Sequence, residues 1–187
     1  MRKLFNKNEK GFSYLEVMIA IVILTVGMTA QLAALSMSMV RARSSGERSA
    51  ARQIASSTLE SIFAARDLGS DAGISSWASI NTDDVDATNG IFLAGWKPVR
   101  TDSGADGIQG TADDACSGNG ACSVGTYTNN SAIRTGFQRK ILIETVTENG
   151  VANPRKRMVT VKVKYFIGQL QTEESLSTLI ADLPFYK

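Results

Sequence analysis

A chain of 187 residues, 43% hydrophobic and 20% charged, has room for one domain with an appendage and is too apolar to be disordered. Its net charge of +2 gives no reason to expect a nucleic-acid partner. With no histidine it lacks Ser-His-Asp and Cys-His catalysis, His-ligated zinc and ordinary haem ligation, and its two cysteines can make at most one disulfide.

Residues 1–11 (MRKLFNKNEKG) are polar and basic. Arg2, Lys3, Lys7 and Lys10 against Glu9 leave a local charge of +3. Residues 17–40 then carry no charge at all. As a helix that run is about 36 Å long, enough for a hydrocarbon core of about 30 Å. The basic flank places the start of the chain in the cytoplasm and everything after residue 40 across the membrane. Residues 12–40 are therefore expected to form a transmembrane helix.

Glu16 is out of place in an ordinary anchor or secretory signal. A carboxylate at that depth costs a few kcal/mol on insertion scales. It needs a cation, and the following six turns of helix offer none. A cut between Gly11 and Phe12 creates one, the new α-amino group of Phe12. That group suits Glu16 of a neighbouring, staggered chain better than Glu16 of its own.

Lys10-Gly11-Phe12-Ser13-Tyr14-Leu15-Glu16, followed by a long uncharged run, resembles the class III signal of type IV pilins and type II secretion pseudopilins. Tyr14 stands where Leu or Thr is usual. The resemblance implies a leader, residues 1–11, that a prepilin peptidase removes after Gly11, and N-methylation of Phe12. It also implies that Glu16 pairs with the amino terminus of a partner subunit. Within the superfamily, residues 22–35 (VILTVGMTAQLAAL), 50–67 (AARQIASSTLESIFAARD), 159–166 (VTVKVKYF) and 175–181 (SLSTLIA) are most similar to PilV-type minor pilins, and the second of these also to GspI-type pseudopilins. Three functions follow as expectations: a minor pilin that helps initiate or cap a pilus, a pseudopilin of a secretion system, or a pilus-tip adhesin or ligand-binding subunit. Prepilin peptidase, other minor and major pilins and the inner membrane are the implied partners.

Residues 41–69 continue the helix with an amphipathic face. Ala51, Ile54, Ala55, Thr58, Leu59, Ile62 and Phe63 recur at spacings of three and four, and Gly69 is placed to cap the end. Residues 70–136 are rich in Gly, Ser, Asp, Asn and Thr and are expected to be loops with short strands or turns between them. Residues 137–187 show strand alternation. Val159, Val161, Val163 and Tyr165 share one face, with turn signals at Asn149-Gly150 and Gly168-Gln169. A three-stranded antiparallel sheet covered by the amphipathic helix, an α+β head, is the predicted architecture.

Two features of the loop-rich region are candidate sites. Asp102, Asp106, Ile108 (through its carbonyl), Asp113 and Asp114 approach the spacing of a calcium loop, with Gly107 at the sharp turn. A solvated acidic turn has the same composition. Cys116 and Cys122, separated by SGNGA in an oxidising compartment, suit a local disulfide. Arg155, Lys156 and Arg157, with Lys162 and Lys164, read as the solvated edge and outer face of a strand. No nucleophile, base and orienting group converge, so no enzyme activity is expected.

Overall fold

The computed structural model describes residues 11–68, 76–104, 106–115 and 132–182. The chain divides into two compact units, Met1–Ser44 and Ser45–Lys187. One helix, α1 (Tyr14–Leu68), contributes to both.

In the first unit every described side chain of the apolar run points outward. Ile19, Ile21, Val22, Ile23 and Leu24 are all about half exposed or more. Among the described residues α1 is the one helix long and apolar enough to cross a membrane, with a mean hydropathy of 2.2 over its most apolar window. Two of its threonines bond back onto the helix backbone. Thr25 donates to the Val22 carbonyl at 2.9 Å, and Thr29 to those of Thr25 and Val26 at 3.1 and 2.9 Å. A helix in lipid has to satisfy its donors internally, and these threonines do so.

The second unit is a helix-on-sheet head. After α1 come α2 (Ser76–Ser79), β1 (Lys97–Arg100), a 3-10 turn (Ala112–Ala115), β2 (Ile133–Glu148), β3 (Val151–Ile167) and β4 (Leu170–Ala181). The four strands lie in the order β1-β2-β3-β4, each antiparallel to its neighbour. Ala51, Ile54, Ala55, Leu59, Ile62 and Ala65 of α1 bury against Phe137, Ile141, Ile143, Val159, Val161, Val163, Tyr165 and Ile180 of the sheet. The register Ile141↔Val161 and Ile143↔Val159 keeps this set on one face. Asn149 (φ 51°) and Gly150 (φ 81°) both take the left-handed conformation that a two-residue hairpin requires, which is why that dipeptide joins β2 to β3.

The α+β architecture agrees with expectation, and the strand count is corrected from three to four. β1 arises inside the loop-rich region, and β2 starts at Ile133 rather than at residue 137. Four residues carry too little alternation to be read as a strand; the buried Val99 is what holds β1 to the core. The two edges of the sheet differ. β1 is short, contains Lys97 and Pro98, and shifts register between Pro98 and Arg100. β4 runs for 12 residues with no Lys, Arg, Pro or Gly.

Arg157 also departs from expectation. It shares the inward parity of Val159 and stacks 4.6 Å over the Trp77 ring. Its guanidinium donates to the Trp77 and Ile80 carbonyls, while Trp77 Nε1 donates to the Pro154 carbonyl at 2.7 Å. It clasps the segment after α1 to β3 instead of joining a solvated cluster.

Ile62 is 1% exposed at the centre of the helix–sheet contact. Ile62→Ala should lower the stability of the head by about 2–5 kcal/mol, whereas Ser177→Ala on the open face, which loses only an exposed hydroxyl bond to Thr160 at 2.9 Å, should change it by about 1 kcal/mol at most. Denaturant unfolding of the detergent-solubilised chain, followed by circular dichroism, measures both.

Candidate functional site

Two places in the molecule hold the candidate residues. The first is the start of α1. Gly11, Phe12 and Ser13 precede the helix in non-helical conformation. The Ser13 carbonyl accepts the amides of Glu16 and Val17 at 2.9 and 3.2 Å, which sets Glu16 in the first helical turn. Phe12, Glu16, Val17, Ala20, Ile21 and Leu24 line one shallow groove along this unit. Glu16 and Ala20, four apart in the helix, share a side, and Phe12 lines the same groove. Phe12 is 81% exposed and Gly11 has open space around it, so the Gly11–Phe12 bond is accessible. Through residue 40, Glu16 is the sole ionisable side chain of α1 besides the Tyr14 phenol.

The second place is the loop of residues 101–115 on the head. The structure brings Asp106, Asp113 and Asp114 into one turn system and gives each a protein partner. Asp102 Oδ1 accepts the Gly104 amide at 3.3 Å, and Asp106 Oδ1 accepts the Ile108 amide at 2.7 Å. Asp113 accepts the Asp106 amide at 3.1 Å and the Thr111 hydroxyl at 2.5 Å. The Ile108 carbonyl accepts the Thr111 hydroxyl at 3.1 Å. Asp114 Oδ2 accepts the Gly110 amide at 2.8 Å and the Arg139 guanidinium at 2.9 Å. At least one oxygen of each of these carboxylates is turned onto the loop's own donors, and one of Asp114 also onto Arg139. No group of three or more Asp, Glu, His or Cys side chains is placed to hold a metal among the described residues.

Arg139, which sequence spacing did not single out, is the centre of this arrangement. It sits on the inward face of β2 between Phe137 and Ile141 and is 5% exposed. Besides Asp114 it donates to Thr58 Oγ1 of α1 at 3.1 Å and to Gln109 Oε1 at 3.4 Å. One guanidinium thus ties helix, loop and sheet together. Gly110 (φ 103°) is required beside it, because a Cβ there would lie 2.5 Å from Ile141 Cδ1. The signal that could have revealed Arg139 is its parity: it occupies an inward position in Phe137, Arg139, Ile141, Ile143.

Burial pushes the Asp114 carboxyl up from its ordinary value, against the lowering effects of the Gly110 amide and Arg139. Asp114 Oδ1 is buried with no donor against it among the described residues. Burial also raises Asp106 and pulls Arg139 down. A carboxyl raised on folding holds its proton above the pH at which the unfolded chain has released it. The contribution of Asp106 and Asp114 to stability therefore falls as pH rises from the ordinary carboxylate value through their raised values.

Residues 1–10 of the expected leader, Gly69 and both cysteines of the Cys116–Cys122 pair lie outside the described residues.

Residues 6–30 match the prokaryotic N-terminal methylation motif. That span contains Gly11, Phe12 and Glu16 and the first half of the apolar run. No curated protein and no solved structure matches the chain. Such a motif suggests a type IV pilin-like or pseudopilin amino terminus and implies processing by a prepilin peptidase, and among the described residues α1 has the length and composition to anchor it in a membrane.

Removing Asp114 leaves Arg139 buried and unpaired. Asp114→Ala should destabilise the head by about 3–5 kcal/mol, and the double change Asp114→Leu with Arg139→Met should restore most of that loss, because no uncompensated charge remains. Thermal melts of the detergent-solubilised chain test both. The same melts in millimolar calcium and in chelator should coincide.

Proposed function

We propose that this protein is a minor pilin of the PilV type, a structural subunit taking part in the assembly or initiation of a type IV pilus. The observation that carries the proposal is Glu16, a lone carboxylate at the first turn of an uncharged helix, four residues from Phe12. In this reading the peptidase cuts after Gly11, Phe12 is N-methylated, and the subunit waits in the inner membrane with its head in the periplasm. It then joins other minor and major pilins. The match over residues 6–30 supports processing and assembly as a class. The α+β head, with a long helix laid on an antiparallel sheet, is the form such a subunit takes by resemblance.

The chemistry of assembly follows from the bilayer. A carboxylate and an amino terminus in hydrocarbon are each costly alone. Bringing Glu16 of one subunit to the Phe12 amino group of another removes both costs, and the low dielectric strengthens the attraction. The pair fixes axial register, and the outward apolar side chains supply most of the packing.

Mass spectrometry of the amino terminus is expected to show a chain beginning at N-methyl-Phe12. An intact Met1, or a cut beyond residue 40, would overturn the reading.

Glu16→Ala and Glu16→Gln are expected to leave cleavage and membrane insertion intact. Both should reduce co-purification with partner pilins and the number of pili per cell. Assembly of both variants at the level of the unmodified chain would remove Glu16 from this role.

A further inference from the structure

The helix covers only the inner face of the sheet. On the outer face the strand registers set side chains in rows. Gln138, Lys164 and Glu173 form one row, and Lys140, Lys162 and Ser175 the next. Leu142, Thr160 and Ser177 follow, without charge. Trp96, the residue before β1, closes the lysine rows on the β1 side. The Lys164 ammonium stands 4.1 Å from the centre of its ring. Continuing the Lys97↔Arg139 and Pro98↔Gln138 register by one residue sets Trp96 opposite Lys140. Three lysines and an indole are thus grouped on a flat surface. Within the two lysine rows the one carboxylate, Glu173, is already held by Lys162 at 3.3 Å, and the other carboxylate of this face, Glu144, lies two rows beyond Lys140. The small whole-chain charge conceals this segregation, because the remaining charges lie elsewhere.

We propose that this face is a binding platform for single-stranded nucleic acid. Lys162 and Lys164 are two residues apart on one strand, so they repeat at about 6.6 Å. That is close to the spacing of successive phosphates along an extended single strand. Lys140, one strand away, widens the positive track. The indole supplies a stacking surface beside it, and stacking is tolerant of sequence because every base has a π-face. Lysines offer point charges without bidentate geometry, so the platform recognises the backbone and no particular sequence. When a base takes the indole, Lys164 exchanges its cation–π contact for a phosphate.

The probe is a fluorescein-labelled oligothymidylate, titrated with the full chain in uncharged detergent and followed by anisotropy. Binding should weaken as salt rises, with the slope expected for a few displaced counterions on a single strand, about 0.7 per phosphate contacted. Lys140→Gln/Lys162→Gln/Lys164→Gln should lose at least tenfold in affinity and flatten the salt slope by about 2. The corresponding triple arginine variant should retain binding, which separates loss of charge from loss of fold. Trp96→Ala should weaken binding, and Trp96→Phe should weaken it less. Three results overturn the proposal: no binding at low salt, binding unchanged in the triple glutamine variant, or heparin bound more tightly than the oligonucleotide with no dependence on Trp96. The last would assign the face to an acidic polysaccharide.

Discussion

A single helix serves two environments, and the rest of the molecule is arranged around that constraint. Along α1 the apolar side chains first point in every direction and are all exposed, and then narrow to one stripe from Ala51 to Ala65 that is buried. The first pattern suits a solvent that is apolar on all sides. The second suits a protein that is wet on one side and packed on the other. No proline or left-handed residue marks the change within the helix. The transition is made by composition alone, from an uncharged run to one in which Arg41, Arg43, Glu47, Arg48 and Arg52 occur in close succession. The head has to present a complementary apolar face, and the inward positions of β2, β3 and β4 supply it.

That face is not wholly apolar, and its polar exceptions decide how the head is joined. Arg139 ties the loop to the helix through Asp114, Gln109 and Thr58. Glu174, at an inward position of β4, takes Arg48 at 2.5 Å and Arg52 at 3.2 Å from consecutive turns of α1. Arg157 takes the segment after α1. Each charged group meets partners from a different element. Hydrophobic burial supplies the bulk of the cohesion without direction, and these polar contacts select one docking of loop on sheet and sheet on helix.

What was legible in the sequence was periodic or contiguous. The long helix, the alternation of Val159, Val161 and Val163, and the two hairpin turns are local signals that tertiary structure preserves. The placement of Gly11, Phe12 and Glu16 at the head of the apolar run needs only one turn of helix to be meaningful. β1 was not legible, because four residues with a single buried side chain carry no period. Arg157 reads from the sequence as part of a solvated cluster, and Arg139 and Glu174 carry no local signal, yet each lies on the inward parity of its strand. Charge suggested the surface, and parity determined the place. The acidic loop illustrates the converse. Its spacing approached that of a calcium loop, but spacing along the chain does not say where carboxylates turn, and Arg139, 25 residues further on from Asp114, already satisfied one of them.

The unlike edges of the sheet give the head a direction in its own plane. At β1 the ladder stops after four residues, at a proline and a shift of register. At β4 it ends on 12 residues of regular backbone whose outward amides and carbonyls meet no further strand among the described residues. A sheet so built is more readily extended from the β4 side. Chains brought together at high local density, as in a membrane patch, therefore meet through an asymmetric pair of surfaces, one receptive to backbone pairing and one closed to it. Two β1 edges match poorly, because Pro98 and the shift of register interrupt the ladder there, whereas two β4 edges present uninterrupted backbone to each other.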